Sequence, residues 1–219
     1  MKCRPQDRRS AAFTVAELLL VFAIVVIVTI LAFLAKPGGC RLKEKGSRVK
    51  CTSCLKQLAL AYNLWAEEHQ GRFPMELSES EGGTREAALA GKLLPNLLII
   101  SNELRTPALL ICPSDKKRKP ATTFASLTTV NVSYFLNAHV ALTNQNHIVA
   151  GDRNLALAGW PVTSGLLEIT NSNALSWTKG SHDYAGNVAL VDGSAHQVTS
   201  KGLRDLLLLG GATNRLIIP

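Results

Sequence analysis

Residues 18–35 form an uninterrupted apolar run with no charge and with Thr29 as its only polar side chain. Fourteen of the 18 are Leu, Ile, Val or Phe. A helix of that length rises about 27 Å, close to a hydrocarbon core. Its summed insertion free energy is roughly −4 to −8 kcal/mol. The run is longer than a secretory signal's apolar region, and no small-residue cleavage site follows it. The pattern therefore predicts a transmembrane helix. Lys36-Pro37-Gly38-Gly39 then interrupts it, because Pro and paired Gly end or kink a helix.

The periodicity resumes over residues 41–70. Cys51, Cys54 or Leu55, Leu58, Tyr62, Trp65 and His69 recur every three or four positions and make one apolar stripe. His69 reads as a packing residue at the helix end. Gly71-Arg72-Phe73-Pro74 stops the helix, and a polar loop follows. Thr84, Ala87, Ala88, Leu89 and Leu93 predict a short capped helix closed before Pro95. Beyond it the apolar runs are short and strand-like: 108–112, 130–136, 147–150, 187–191 and 195–199. The last two flank Asp192-Gly193-Ser194, a strong hairpin signal. Ser200 caps a final helix over 203–209, ended by Gly210-Gly211. The fold class expected is α+β. A long N-terminal transmembrane helix, interrupted near Pro37, continues into a helix packed on a small antiparallel sheet.

Charge refines this picture. The chain of 219 residues carries a net +8. Residues 1–56 hold 11 Lys/Arg and 3 Asp/Glu, and the remaining residues hold 13 of each. The excess flanks the apolar run, which points to a membrane before nucleic acid. Counted by flanks alone, the positive-inside rule mildly favours a cytoplasmic C-terminus.

Ala12-Phe13-Thr14-Val15-Ala16-Glu17-Leu18-Leu19 outweighs that count. After a short basic leader and before an apolar helix, it resembles the prepilin motif of type IV pilins and type II secretion pseudopilins. The resemblance implies cleavage between Ala12 and Phe13 by a prepilin peptidase and N-methylation of Phe13. It also implies a subunit-assembly role for Glu17, paired with a neighbouring subunit's N-terminal amine. A carboxylate entering an apolar phase is stabilised by such a partner. Ala12 stands where the family usually has Gly. The implied parts are a leader over 1–12, a transmembrane and assembly helix over 13–35, a basic juxtamembrane segment with amphipathic helix over 36–70, and an α+β head over 71–219 containing the 187–199 hairpin.

The head extends the likeness. Cys51 with Leu55-Lys56-Gln57-Leu58, then Ile111-Cys112-Pro113-Ser114-Asp115, then Ser133-Tyr134 with Asn137, then His182 and the stretch 186–194 resemble, in order, motifs of a pseudopilin-like family. The role of that family's head is poorly known. The implied function is a structural subunit assembled by helix packing into a pseudopilus or pilus-like fibre, for protein secretion or a related surface function. Its partners would be the prepilin peptidase, other pilin-like subunits and an inner-membrane assembly platform. It would sit in the inner membrane as a single-pass protein, N-terminus cytoplasmic before processing, head periplasmic or extracellular. The alternative is a membrane-anchored binding module for a polysaccharide, DNA or a metal.

Chemistry adds little at this stage. Cys51-Thr52-Ser53-Cys54 is one cysteine pair, whereas zinc signatures need two pairs or His partners at set spacings. The reading adopted is a Cys51–Cys112 disulfide joining helix to sheet, with Cys54 able to replace Cys51. Closing a loop of about 60 residues is worth roughly 4 kcal/mol in the chain-entropy model. His182, Asp183, Asp192 and His196 form no recognisable catalytic set, and Asp192 has a turn role. Scattered Asp152, Asp183 and Asp192 give only a thin basis for calcium. No metalloprotease, serine-hydrolase or phosphate-loop motif occurs, so neither enzyme activity nor a cofactor is expected. Lys116, Lys117, Arg118 and Lys119 form a basic cluster open to an anionic partner, although no interleaved aromatics favour nucleic acid.

Overall fold

The computed structural model describes residues 15–34, 39–169, 174–211 and 214–219. The chain divides into two units, Met1–Lys43 and Glu44–Pro219. In the first, Val15–Leu34 form helix α1. Over residues 15–30 its apolar side chains are exposed, with Val15, Leu18, Leu19 and Phe22 each between 64% and 75% exposed. The expected transmembrane helix is corrected here: among the described residues no helix is long and apolar enough to cross a membrane. The expected break at Pro37 lies outside the described residues.

Helix α2 spans Gly39–Glu68. Its buried face is Cys51, Cys54, Leu55, Leu58, Ala59, Tyr62, Trp65 and Ala66, the three-four spacing of one helical stripe. The helix stops because Gln70 and Gly71 adopt left-handed backbone and the Gly71 amide bonds back to the Ala66 carbonyl. His69 stacks on Trp65, ring centroids 3.6 Å apart. Short helices follow: α3 (Arg85–Leu89), α4 (Leu93–Leu98) and α5 (Ser101–Leu104). Pro95 lies inside α4 and does not bound a helix. It sits in the first turn, where its missing N–H has no intrahelical partner to lose. Buried Asn96 ties α4 to its neighbours, accepting from Thr84 Oγ1 at 2.7 Å and, through its carbonyl, from Tyr62 Oη at 2.6 Å.

The strand expected at 108–112 is a 3-10 turn, Pro107–Leu110. Thr106 caps it, its hydroxyl accepting from the Ala108 amide, and Pro107 presets the first φ. The strands then run β1 (Tyr134–Asn137), β2 (Ile148–Asp152), β3 (Leu155–Leu157), β4 (Trp160–Pro161), β5 (Gly165–Ile169), β6 (Leu175–Trp177), β7 (Ala185–Leu190) and β8 (Ala195–Thr199). Helix α6 (Ser200–Gly210) and strand β9 (Asn214–Ile218) close the chain. The cap of α6 is Thr199, whose hydroxyl accepts from the Gly202 amide; Ser200 is already inside the helix.

Six strands form one sheet in the order β5-β9-β1-β2-β7-β8, and three form a second, β4-β3-β6. All their pairings are antiparallel. Strand alternation divides the larger sheet between two cores. Tyr134, Leu136, Ala189, Val191 and Ile217 join the α2 face. Phe135, Val188, Leu190, Leu216 and Ile218 pack with Leu203 and Leu207 of α6 and with Leu155, Leu175 and Trp177 of the small sheet. The central strands are thus covered on both faces and read as continuous apolar runs. A register shift in β2 between Ile148 and Ala150 puts both Val149 and Ala150 on the α2 side.

Gly186 on β7 makes room for the Trp177 indole. A Cβ there would lie 2.6 Å from three ring carbons. Overpacking of a filled core typically costs about 1–3 kcal/mol. Gly186→Ala should therefore lower the unfolding free energy by about 1–3 kcal/mol, read as a lower denaturant midpoint at unchanged m-value, and an unaltered midpoint would show that the ring can move aside.

Candidate functional site

Four elements bring ionisable side chains to one buried point. Cys51 stands on the sheet-facing stripe of α2, and Cys112 follows the 3-10 turn at Pro107–Leu110. Asp152 ends β2, opposite Tyr134 of β1. His182 lies in the loop before β7. The ligand-capable atoms of Cys51, Cys112, Asp152 and His182 all lie within 4.8 Å of one another, and all four residues are buried.

Cys51 Sγ donates to Asp152 Oδ1 at 3.2 Å and lies 3.4 Å from Tyr134 Oη. Cys112 Sγ is 3.2 Å from His182 Nε2, which is itself 3.3 Å from Asp152 Oδ2. Asn187 fixes the carboxylate: its backbone N–H (2.6 Å) and its side-chain Nδ2 (2.8 Å) both donate to Asp152 Oδ2. The amide orientation is set in turn by Thr52, whose hydroxyl donates to Asn187 Oδ1 at 3.1 Å. Arg48 Nη2 donates to the His182 carbonyl. Directly after His182, Asp183 (φ 49°) and Tyr184 (φ 59°) both adopt left-handed backbone. Two such non-glycine residues in succession store strain that the surroundings must hold.

The charges are strongly coupled. Burial pushes the Asp152 carboxyl up to about 7, with the Cys112 sulfur adding to it and His182 opposing. Burial likewise drives the Cys51 thiol far above its ordinary range. The Cys112 thiol is lowered to about 5 by the hydrogen bond from Cys51 and, against its burial, by His182. Burial pulls His182 down, but Cys112 and Asp152 together carry it above its usual value. These shifts favour the charged forms of Cys112 and His182 and the neutral form of Cys51. A thiolate–imidazolium pair is a nucleophile's arrangement. Cys112 and His182 are each only 1% exposed, however, so neither side chain is open to solvent among the described residues. Two thiols, a carboxylate and an imidazole at one buried point are instead a donor set for a soft divalent ion.

In the structure Cys51, Cys54 and Cys112 are free, buried thiols, and the expected Cys51–Cys112 bond is not formed. Each sulfur of the expected pair is engaged elsewhere, Cys51 with Asp152 and Cys112 with His182. Cys54 is not part of the four-residue cluster. Ala12 and Phe13 lie outside the described residues. Glu17 is in the first turn of α1. Of the basic cluster, Lys116, Lys117 and Lys119 are exposed. Arg118 is half-buried, and its guanidinium donates to the carbonyls of Thr129, Val132 and Pro219. It is an internal tie and is not available to an anionic partner. Asp192 accepts from the Ser194 amide in its turn, and His196 pairs with the Ser194 hydroxyl on an exposed strand.

Asp152 and His182 are the members that reasoning from sequence did not join to the cysteines. The available signal was their position at the edges of two motif-like stretches, Gly151-Asp152 and the segment before the hairpin. Comparison with known proteins yields no match: no family model, no curated protein and no solved structure.

Proposed function

We propose that the protein is a structural subunit of a pilin-like assembly. It is cut between Ala12 and Phe13 by a prepilin peptidase, methylated at Phe13 and joined to other pilin-like subunits through α1. The head is displayed outside the cytoplasm, and assembly is driven from an inner-membrane platform in service of secretion or a related surface function. The observation that carries this reading is the exposure of α1. A helix apolar on all sides and uncovered over residues 15–30 has surface that must be buried by something else. Helices of further copies or of related subunits supply such a cover, and the motif around Glu17 gives the register.

The test is intact-mass analysis of the cell-envelope protein combined with recovery of sheared surface fibres. The mature chain should begin at N-methylated Phe13. Glu17→Ala should reduce incorporation about tenfold or more, since an ion pair in a partly apolar environment is worth a few kcal/mol. A chain that still begins at Met1, with Glu17→Ala incorporated normally, would overturn the proposal.

A further inference from the structure

The geometry points to a structural zinc site formed by Cys51 Sγ, Cys112 Sγ, Asp152 Oδ1 and His182 Nε2. It stands on the head alone and does not rest on the assembly reading.

Ligand identity comes first. Two thiolates and an imidazole select a borderline-soft divalent ion, and a carboxylate oxygen completes a common zinc set. Geometry comes second. Zinc bonds of about 2.0–2.3 Å in a tetrahedron imply ligand–ligand edges of roughly 3.3–3.8 Å. The separations here are 3.2 Å from Cys51 Sγ to Asp152 Oδ1 and 3.2 Å from Cys112 Sγ to His182 Nε2, with every pair inside 4.8 Å. A small outward adjustment on binding meets the tetrahedron.

The outer contacts of Asp152 and Cys51 fit, whereas His182 Nδ1 is buried without a hydrogen-bond partner. Asn187 occupies Asp152 Oδ2 with two N–H donors and leaves Oδ1 turned to the cysteine side. Tyr134 Oη is placed to donate to the Cys51 sulfur. Such outer partners orient metal ligands. Two thiolates and a carboxylate carry three negative charges against the ion's two. The Arg48 guanidinium, on the His182 carbonyl, lies close to the remaining one.

His182 Nε2 stands at the centre of the cluster's polar contacts. His182 Nε2 faces Asp152 Oδ2 at 3.3 Å and Cys112 Sγ at 3.2 Å. It also faces Asn187 Nδ2 at 3.1 Å, which calls for a lone pair. Asn187 cannot flip, since its oxygen would then meet Asp152 Oδ2. With the Nε2 lone pair turned to this point, a central cation can take it while the Asn187 amide keeps its bond to the carboxylate. With four protein ligands and no access from solvent, the site is closed, which marks a structural and not a catalytic ion.

The test uses the full chain isolated without chelator and without reductant. Metal analysis should find about one zinc per chain. Cobalt exchange should give the thiolate charge-transfer absorption and intense visible bands of a tetrahedral site. Cys112→Ser and His182→Ala should lose the ion, whereas Cys54→Ser should retain it. His182→Cys, which restores a ligand, separates lost ligation from lost folding and should keep zinc. Asn187→Ala leaves all four ligands and should weaken zinc about 10–100-fold in chelator competition. A folded chain that takes up neither zinc nor cobalt would overturn the site. So would recovery of Cys51 and Cys112 as a disulfide by non-reducing peptide mapping, or zinc retained in both Cys112→Ser and His182→Ala.

Discussion

Stripping zinc from the folded protein should lower its melting midpoint by about 8–16 °C. At free zinc about 1,000-fold above the dissociation constant, binding adds roughly 4 kcal/mol. A chain of this size moves about 2–4 °C per kcal/mol. The effect is large because the ligands come from elements far apart in sequence: α2, the turn after residue 110, the end of β2 and the loop before β7. The clamp joins the helix layer to the central sheet at a buried point. A Cys51–Cys112 disulfide would contribute about as much, near 4 kcal/mol, so the size of the shift alone does not identify the clamp. The reagent does. Scanning calorimetry should show the loss with a strong chelator, its recovery on added zinc, and no loss with a non-chelating reductant. Loss with reductant and none with chelator would assign the linkage to a disulfide.

The face of α2 was legible because a three-four spacing leaves few alternatives once the apolar positions are named. Cys51, Leu58 and Tyr62 are all fully buried. The β7–β8 hairpin was legible for a local reason: Asp192-Gly193 supplies the turn, and Gly193 takes φ 79° there. Elements fixed by distant partners were not legible. β9 is a short apolar run at the chain end, yet it sits between β5 and β1, and nothing within residues 214–218 says so. The segment before Cys112 was misread because apolar residues next to a Pro suit both a strand and a capped 3-10 turn. The Thr106 cap and the fixed φ of Pro107 decided for the turn. At the site, the approach of Cys51 to Cys112 could be anticipated, but the chemistry of the meeting could not. Asp152 and His182 each had a local account, a strand end and a loop residue. Their convergence arises only when β2 pairs with β7 and α2 closes over both.

Asp115→Ala should cost about 3 kcal/mol and lower the midpoint by roughly 6–12 °C. Asp115 is the last residue of the Cys112-Pro113-Ser114-Asp115 turn, and its amide donates to the Cys112 carbonyl at 2.9 Å. Its carboxylate is 4% exposed and accepts from Arg153 Nε at 2.8 Å and from Ser133 Oγ at 3.1 Å. It also accepts from the Lys117 amide. Removing it leaves Arg153 and Ser133 without their buried acceptor, and loss of one partner of a buried pair typically costs about 3–5 kcal/mol. Arg153 keeps 21% of its side chain in solvent, which favours the lower end. Burial alone would raise the Asp115 carboxyl, but the Arg153 guanidinium and the Ser133 hydroxyl outweigh it and hold it below the ordinary carboxylate value. The folded value is therefore depressed, so this stabilisation is complete above the unfolded value of about 3.9. It fades as pH falls through the folded one. The gap between native and Asp115→Ala stability should stay constant from neutral pH down to about pH 5 and narrow at more acid pH. A gap that stayed constant into strong acid would mean that shape, not charge, secures the turn. Because Arg153 directly follows Asp152 at the end of β2, this ion pair pins the Cys112 turn to the strand end that carries the carboxylate ligand. The variant should therefore also release zinc more readily in chelator competition while all four ligands remain in place.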